Sequence, residues 1–308
     1  MSRLISILCF TYIVASTFAA EVGVVETWPD TSLRGWMRID QSTGVLSDQN
    51  LDVSEGALRL SPTVDAGSPL NPRWSFVADI SASEGWFTGS LYGVGAETLD
   101  LDFQSSVSVT LKIQLVHNAI FGAVYNATMA VDPGTHPSRI SMPLDLNHFS
   151  PDFFGNDALF ETIIRATDQV WITMEWDKNA PSPIFMVDNV ELKGAGAGYG
   201  AWIDGFGLVI RQRLPGTDAD EDGDSNAAEF IVDSLPDDPA SRFSFGMNGS
   251  GLEWASSSNC NYTVMRSTNL TNQAFIPSDA LSGSGAGMSY QDSESLPCAF
   301  YKISVERK

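Results

Sequence analysis

Residues 218–230 read D-A-D-E-D-G-D-S-N-A-A-E-F, a crowd of carboxylates around a single glycine with no basic residue among them. Like charges at this density repel, so the segment is either a solvated acidic tether or the wrapping of a cation. Calcium is a hard cation that takes six to eight oxygen ligands. A twelve-residue loop supplies them when oxygens recur on alternate residues, with a glycine at the sharp turn and a bidentate carboxylate at the end. Laid on Asp218, that template puts Asp218, Asp220 and Asp222 at the first, third and fifth places. Gly223 takes the sixth, where a positive φ is needed, and Asp224 the seventh, where the backbone carbonyl is the usual donor. Asn226 takes the ninth place and Glu229 the twelfth, so every oxygen-bearing place is filled and the spacing predicts a Ca2+ site. The eighth place, usually aliphatic where two such loops pair, is Ser225, and RQRLPG precedes the loop where a long amphipathic helix would stand. The expectation is a stand-alone structural clip and not a regulatory sensor. Asp233 and Asp237 are candidates for outer ligands.

Other chemistry finds little footing. His117, His136 and His148 are too far apart in sequence to form a metal motif, and no H-E-x-x-H, G-x-S-x-G, P-loop or dinucleotide fingerprint occurs. Paired carboxylates such as Asp100 and Asp102 keep a glycan hydrolase open as an alternative. Acidic residues outnumber basic ones 38 to 17, a formal charge of −21, which repels phosphate backbones and argues against nucleic acid and anionic membrane partners. Cations, neutral polymers and basic proteins remain.

The first twenty residues, MSRLISILCFTYIVASTFAA, open on Arg3, continue in an apolar run and end in small residues, the pattern of a signal peptide. No later stretch is long and apolar enough to cross a bilayer, so no integral membrane segment is expected after cleavage. Export would leave Cys260 and Cys298 as an even pair in an oxidising compartment, where they should join. The closed loop spans about forty residues, worth about 4 kcal/mol on chain-entropy grounds.

The elements that must position the loop read as strands. S-V-S-V-T-L-K-I-Q-L-V (106–116) alternates, placing Val107, Val109, Leu111, Ile113 and Leu115 on one face. Similar runs occur at 57–61, 74–80, 98–103, 122–131, 139–144, 169–176 and 184–192, separated by turn residues. N-D-A-L-F-E-T-I-I-R-A-T (156–167) instead has helical spacing. G-A-G-A-G-Y-G (194–200) predicts a flexible boundary. A-A-E-F-I-V-D-S-L (227–235) predicts one or two helical turns, and 241–308 returns to β alternation with glycine and serine turns at 281–289.

The calcium loop resembles those of dockerins and thrombospondin type 3 repeats. With A-W-I-D-G-F-G-L (201–208), P-D-D-P (236–239), Y-T-V-M-R-S-T-N-L (262–270) and F-Y-K-I-S-V (300–305), it is similar to a module of secreted proteins from Verrucomicrobia-like bacteria. What that implies is a structural calcium site in an exported protein. A dockerin carries two such loops and one is present, so cohesin binding is not implied. W-F-T-G-S-L-Y-G-V-G-A-E-T-L-D-L-D-F (86–103) and the closing F-M-V-D-N-V-E-L-K-G (185–194) resemble galactose-binding-like jelly rolls, which include carbohydrate-binding modules. That resemblance implies Asp188 as a second structural metal ligand. Sugar rings stack on exposed aromatics, and Trp36, Trp86 and Trp176 are the candidates for exposure.

The sequence therefore predicts an all-β protein: a signal peptide (1–20), a jelly-roll sandwich (21–194), a glycine-rich linker with the calcium loop (195–240) and a small disulfide-stapled β domain (241–308). The expected function is non-catalytic binding or adhesion at the cell surface, with polysaccharide or surface glycan as ligand. A purely structural matrix component is the alternative.

Overall fold

Alternating residues fold as expected into antiparallel strands, which the computed structural model describes for residues 20–40, 45–62, 71–118, 123–152, 155–249, 251–268, 275–294 and 299–308. Residues 1–19, expected to belong to a signal peptide, and Cys298 lie outside the described residues. In chain order the strands of the first part are β1 (Val25–Glu26), β2 (Met37–Asp40), β3 (Val45–Ser47), β4 (Leu51–Ser54), β5 (Ala57–Leu60) and β6 (Arg73–Ala78). They continue with β7 (Ala96–Ser105), β8 (Val109–His117), β9 (Ala123–Val131), β10 (Ser138–Pro143), β11 (Ser150–Pro151), β12 (Gln169–Trp176) and β13 (Phe185–Gly194). One six-stranded sheet runs β10-β7-β13-β5-β4 with β1 also on β13, and one seven-stranded sheet runs β11-β9-β8-β12-β6-β2-β3.

The inward faces of the two sheets share one core. Leu99, Leu101 and Phe103 of β7 and Phe185 and Val187 of β13 pack in the same cluster as Leu111 and Ile113 of β8 and Ile172 and Met174 of β12. Each such side chain taken from water contributes roughly 1.5–3 kcal/mol. Helix α1 (Asp157–Arg165) begins on the side chain of Asn156, which accepts from Leu159 N at 2.9 Å, and buries Phe160, Ile163 and Ile164 against that core.

The glycine-rich stretch departs from expectation. Gly194 and Gly200, its two ends, pack where flexibility was predicted. A Cβ on Gly194 would lie 2.0 Å from the carbonyl oxygen of Gly95, and one on Gly200 would lie 3.0 Å from the Gly93 Cα and the Tyr92 ring. Glycine is there to let two backbones touch. Helix α2 (Tyr199–Ile203) follows at once, and Tyr199, Ile203, Leu214 and Phe230 all belong to the sandwich core. Arg165 and Arg213 both bind Asp204 (2.8 and 2.9 Å), and Arg211 binds Asp157 (2.6 Å), fastening the segment to α1.

After the acidic loop comes α3 (Asn226–Val232), then two three-stranded sheets. Their strands are β14 (Phe245–Asn248), β15 (Gly251–Ala255), β16 (Cys260–Ser267), β17 (Ile276–Ser282), β18 (Gly287–Gln291) and β19 (Phe300–Arg307). The sheet orders are β14-β15-β18 and β17-β16-β19 around Leu252, Trp254, Cys260, Tyr262, Val264 and Tyr290. The serine- and glycine-rich 281–289 segment, expected to be all turn, is a turn between β17 and β18 whose ends carry strand. Among the described residues no helix is long and apolar enough to cross a membrane.

Candidate metal centre

The loop that precedes α3 is closed at its base by backbone bonds. Asn226 N donates to Thr217 O (2.8 Å), and Ala227 N donates to Pro215 O (2.9 Å). Ser225 caps the helix by accepting from Ala228 N at 3.3 Å, and its hydroxyl donates to Glu97 Oε1 on β7 at 3.4 Å. Gly223 adopts φ +102°, the left-handed turn that the sixth place requires.

Backbone amides then aim the carboxylates. Gly223 N donates to Asp218 Oδ2 (2.9 Å), Asp222 N to Asp218 Oδ1 and Asp220 Oδ1 (3.2 Å each), and Asp224 N to Asp222 Oδ1 (2.8 Å). The result is that carboxylate oxygens of Asp218, Asp220 and Asp222 lie within 4.8 Å of one another. Asn226 and Glu229, the ninth and twelfth places, are both fully buried behind them. Asn226 donates both amide protons away from the loop, to Gln212 O (2.6 Å) and Leu214 O (2.9 Å).

What remains is a set of acceptors with nothing to accept. Asp220 Oδ2, Asp222 Oδ2, Asn226 Oδ1 and Glu229 Oε2 are buried and carry no hydrogen bond. Four such oxygens in one loop are too costly to leave unmatched. Burial, with repulsion from Asp220 and Asp222, pushes the Glu229 carboxyl up to about 8. Burial and neighbouring acids raise the Asp220 carboxyl as well. Arg242, half-exposed, approaches Asp222 Oδ2 at 3.7 Å. An all-oxygen set of carboxylates and one amide carbonyl suits a hard divalent cation, so these residues fit calcium.

The other sequence candidates fall elsewhere. Asp224 lies in the loop with its amide turned to Asp222, consistent with a place that uses the carbonyl. Asp233 is no outer ligand, because its carboxylate is taken by Ser257, Asn259 and Arg307. Asp188 does not join the loop cluster. It pairs in register with Asp102 on the face of the six-stranded sheet away from the core, and its Oδ1 is buried without a partner. Burial is the larger cause, and Asp102 a lesser one, that raises its carboxyl. Asp100 and Asp102, the pair open to a hydrolase, are engaged by Arg139 (3.4 and 3.3 Å), and Asp100 also by Lys193 (2.6 Å).

Sequence reading missed Glu26. It is fully buried, both carboxylate oxygens lack hydrogen bonds, and Arg34 Nη1 lies 3.4 Å away. Burial raises its carboxyl. The available signal was an acid at an inward position between Val25 and Trp28.

The aromatic candidates are corrected. Trp36 is 1 % exposed and Trp176 is 2 % exposed, so neither offers a ring face. Trp36 packs edge-on to Trp28 and Phe87 and donates from Nε1 to Ser83 Oγ (2.8 Å), while Trp176 packs edge-on to Phe185. Trp86 is half-buried against the same core. Trp171, by strand parity, faces the other way. It is half-buried and donates to Gln169 Oε1 at 2.9 Å. Gln169 lines a cleft of about 590 Å³ at one end of the sandwich, with Asp79, Ile80, Ser90, Asn118, Arg165 and Asp168. Cys260 is fully buried, and its Sγ donates to Ile231 O at 3.3 Å.

No protein-family model matches the chain, and no curated protein matches it. Solved structures show distant likeness. A family 28 carbohydrate-binding module specific for non-crystalline cellulose is 13 % identical over 58 % of this chain and 98 % of that one, with a TM-score of 0.37. The L4b domain of human laminin alpha-2 is 7 % identical over 53 % and 98 %, with a TM-score of 0.38. The family 11 carbohydrate-binding module of a Clostridium thermocellum cellulosomal cellulase is 15 % identical over 56 % and 90 %, with a TM-score of 0.33. These likenesses stand beside the all-β sandwich and carry no argument about what this chain binds.

Proposed function

We propose that the chain is an exported, non-catalytic binding protein in which a calcium ion fixes the segment between a sandwich and a small β-unit. The observation that carries this reading is the group of buried acceptors, Asp220 Oδ2, Asp222 Oδ2, Asn226 Oδ1 and Glu229 Oε2, left without donors in a loop whose every oxygen place is filled. Asp218, Asp220, Asp222, Asn226 and Glu229 would hold the ion through side chains and Asp224 through its carbonyl. The bound ion supplies positive charge and fixed geometry, not a reaction. Calorimetry of the full chain tests it: saturable calcium uptake that disappears in Asp222→Ala supports the reading, and no uptake at millimolar calcium removes it.

The ligand we propose is a neutral glycan, taken in the cleft at the sandwich end. Asp79, Asp168, Asn118 and Gln169 line it with polar groups for hydroxyls, Ile80 is 46 % exposed beside them, and Trp171, outside the lining, holds Gln169 by donating to its Oε1 at 2.9 Å. Neutral polymer is indifferent to the charge of −21 that repels polyanions. A staple between Cys260 and Cys298 would form on export in the same reading, and would replace the bond that the Cys260 thiol now gives to Ile231 O. A glycan array gives the test. Specific retention lost in Trp171→Ala supports a binding protein, and silence across the array leaves a structural surface component.

A further inference from the structure

Helix α3 is seven residues long and is held from three directions. Asn226 and Glu229 face the acidic loop. Phe230 sits in the sandwich core, edge-on to Trp202 at 5.3 Å and to Tyr199 at 5.7 Å. The C-terminal end of the helix grips the last strand. Arg307 Nη1 donates to Phe230 O and to Asp233 Oδ1 (3.0 Å), and its guanidinium lies 4.1 Å over the Phe230 ring. Ser257 Oγ (2.5 Å) and Asn259 Nδ2 (3.1 Å) donate to Asp233 Oδ2. The two ends are joined by Ser234, whose amide donates to Glu229 O (3.0 Å) and whose hydroxyl donates to Glu229 Oε1 (3.4 Å). The residue beside the Asp233 clasp thus holds the carboxylate at the twelfth place of the loop.

We propose that calcium uptake at the loop and docking of the C-terminal β-unit are one coupled equilibrium, transmitted through α3 with Arg307 and Asp233 as the clasp. This rests on the calcium reading above. An isolated helix of this length is not stable in water, so α3 is ordered by what holds it. An ion that orders the first turn leaves less ordering for the clasp to impose, and the clasp does the same for the ion. Such coupling is reciprocal: whatever factor calcium contributes to docking, docking returns to calcium affinity.

A second arginine supplies the control. Arg242 stands 3.7 Å from Asp222 Oδ2, one of the oxygens the ion uses, and is followed by Phe243, which stacks on Tyr262 of the C-terminal core at 5.9 Å. Arg242 competes with the cation. By charge alone, removing either arginine strengthens cation binding. Coupling reverses that sign at Arg307 and not at Arg242.

The experiment is calcium titration of the full chain by calorimetry, with hydrogen exchange read by mass spectrometry, for wild type, Arg307→Gln, Arg242→Gln and Asp222→Asn. The expected result is a Kd tightened severalfold in Arg242→Gln and weakened about fivefold or more in Arg307→Gln. Calcium should slow exchange at residues 257–260 and 300–307 in wild type, and in neither Arg307→Gln nor Asp222→Asn. If Arg307→Gln binds as tightly as wild type, or if calcium leaves exchange at those residues unchanged, the coupling is wrong and the calcium site stands. Weaker binding in Arg242→Gln as well would make both arginines general stabilisers and overturn it too. Absence of uptake in wild type overturns both readings. Should Arg307→Gln fail to fold, Ser257→Ala removes one clasp bond and must weaken affinity in the same direction.

Discussion

Asn226 gives both protons of its side-chain amide to the carbonyl oxygens of Gln212 and Leu214, at 2.6 and 2.9 Å. The amide is thereby oriented, and its oxygen is the only part left to face the loop. An oriented, fully buried acceptor beside three carboxylates suits the calcium ion proposed above.

Calcium should raise the thermal midpoint and a chelator should lower it. At a hundredfold excess over Kd the gain is about 2.7 kcal/mol. Asp222→Ala should abolish the response with little effect on the chelated protein. Asn226→Ala should abolish it and also destabilise the chelated protein by about 1–3 kcal/mol, because the Gln212 and Leu214 carbonyls lose their donors. Scanning calorimetry with and without calcium separates the two.

The pH dependence follows from Glu229. Its carboxyl ordinarily titrates near 4.5 and is pushed up to about 8 in the folded, metal-free chain. Between those values the folded state binds the extra proton, so metal-free stability should fall as pH rises through that window. Calcium needs the carboxylate, so affinity should weaken as pH drops below about 8, with proton release on binding. Titrations at pH 6 and pH 8 in two buffers of different ionisation heat check the sign. A pH-independent Kd would contradict it.

Ser225→Ala should leave the calcium response intact and cost about 1 kcal/mol, since the hydroxyl caps α3 and contributes no place to the ion. Denaturant melts in the presence and absence of calcium should shift by the same amount.

Tryptophans should divide by face. Trp176→Ala empties a core site and should cost about 3–5 kcal/mol. Trp171→Ala should leave the melting midpoint near wild type and reduce retention on whichever glycan the array identifies. Chemical denaturation and affinity electrophoresis make the comparison.

Gly194→Ala should destabilise by about 1–3 kcal/mol, because the added methyl meets the Gly95 carbonyl at 2.0 Å and only backbone can yield. A neutral result in denaturant melts would restore the flexible-linker reading of that stretch.

The long central strands were legible because alternation over eight or more residues fixes both type and face: residues 169–176 fold as β12 without a shift of either end. The two-residue strands Val25–Glu26 and Ser150–Pro151 carry no period at all, and tertiary pairing alone makes them strands. The turn at Gly223 and the gathering of Asp218, Asp220 and Asp222 were legible because those residues are local in sequence and the template fixes each place. Trp176 was misread although its parity with Ile172 and Met174 marks it as inward. Trp36 had no such run, since β2 spans four residues. The glycine-rich stretch misled because composition does not distinguish a glycine needed for mobility from one needed for contact. The clasp at Arg307 was invisible, since it joins residues 74 apart in sequence.

Because Tyr199, Leu214 and Phe230 lie in the sandwich core, the body of the molecule reaches well past the last strand of its larger sheets. A protease should spare the glycines at 194–200 and cut instead near Leu235 and the exposed 237–240 segment. Anyone trimming the gene for crystallisation should therefore stop after α3: a fragment ending at the glycines would shed part of its own interior and precipitate.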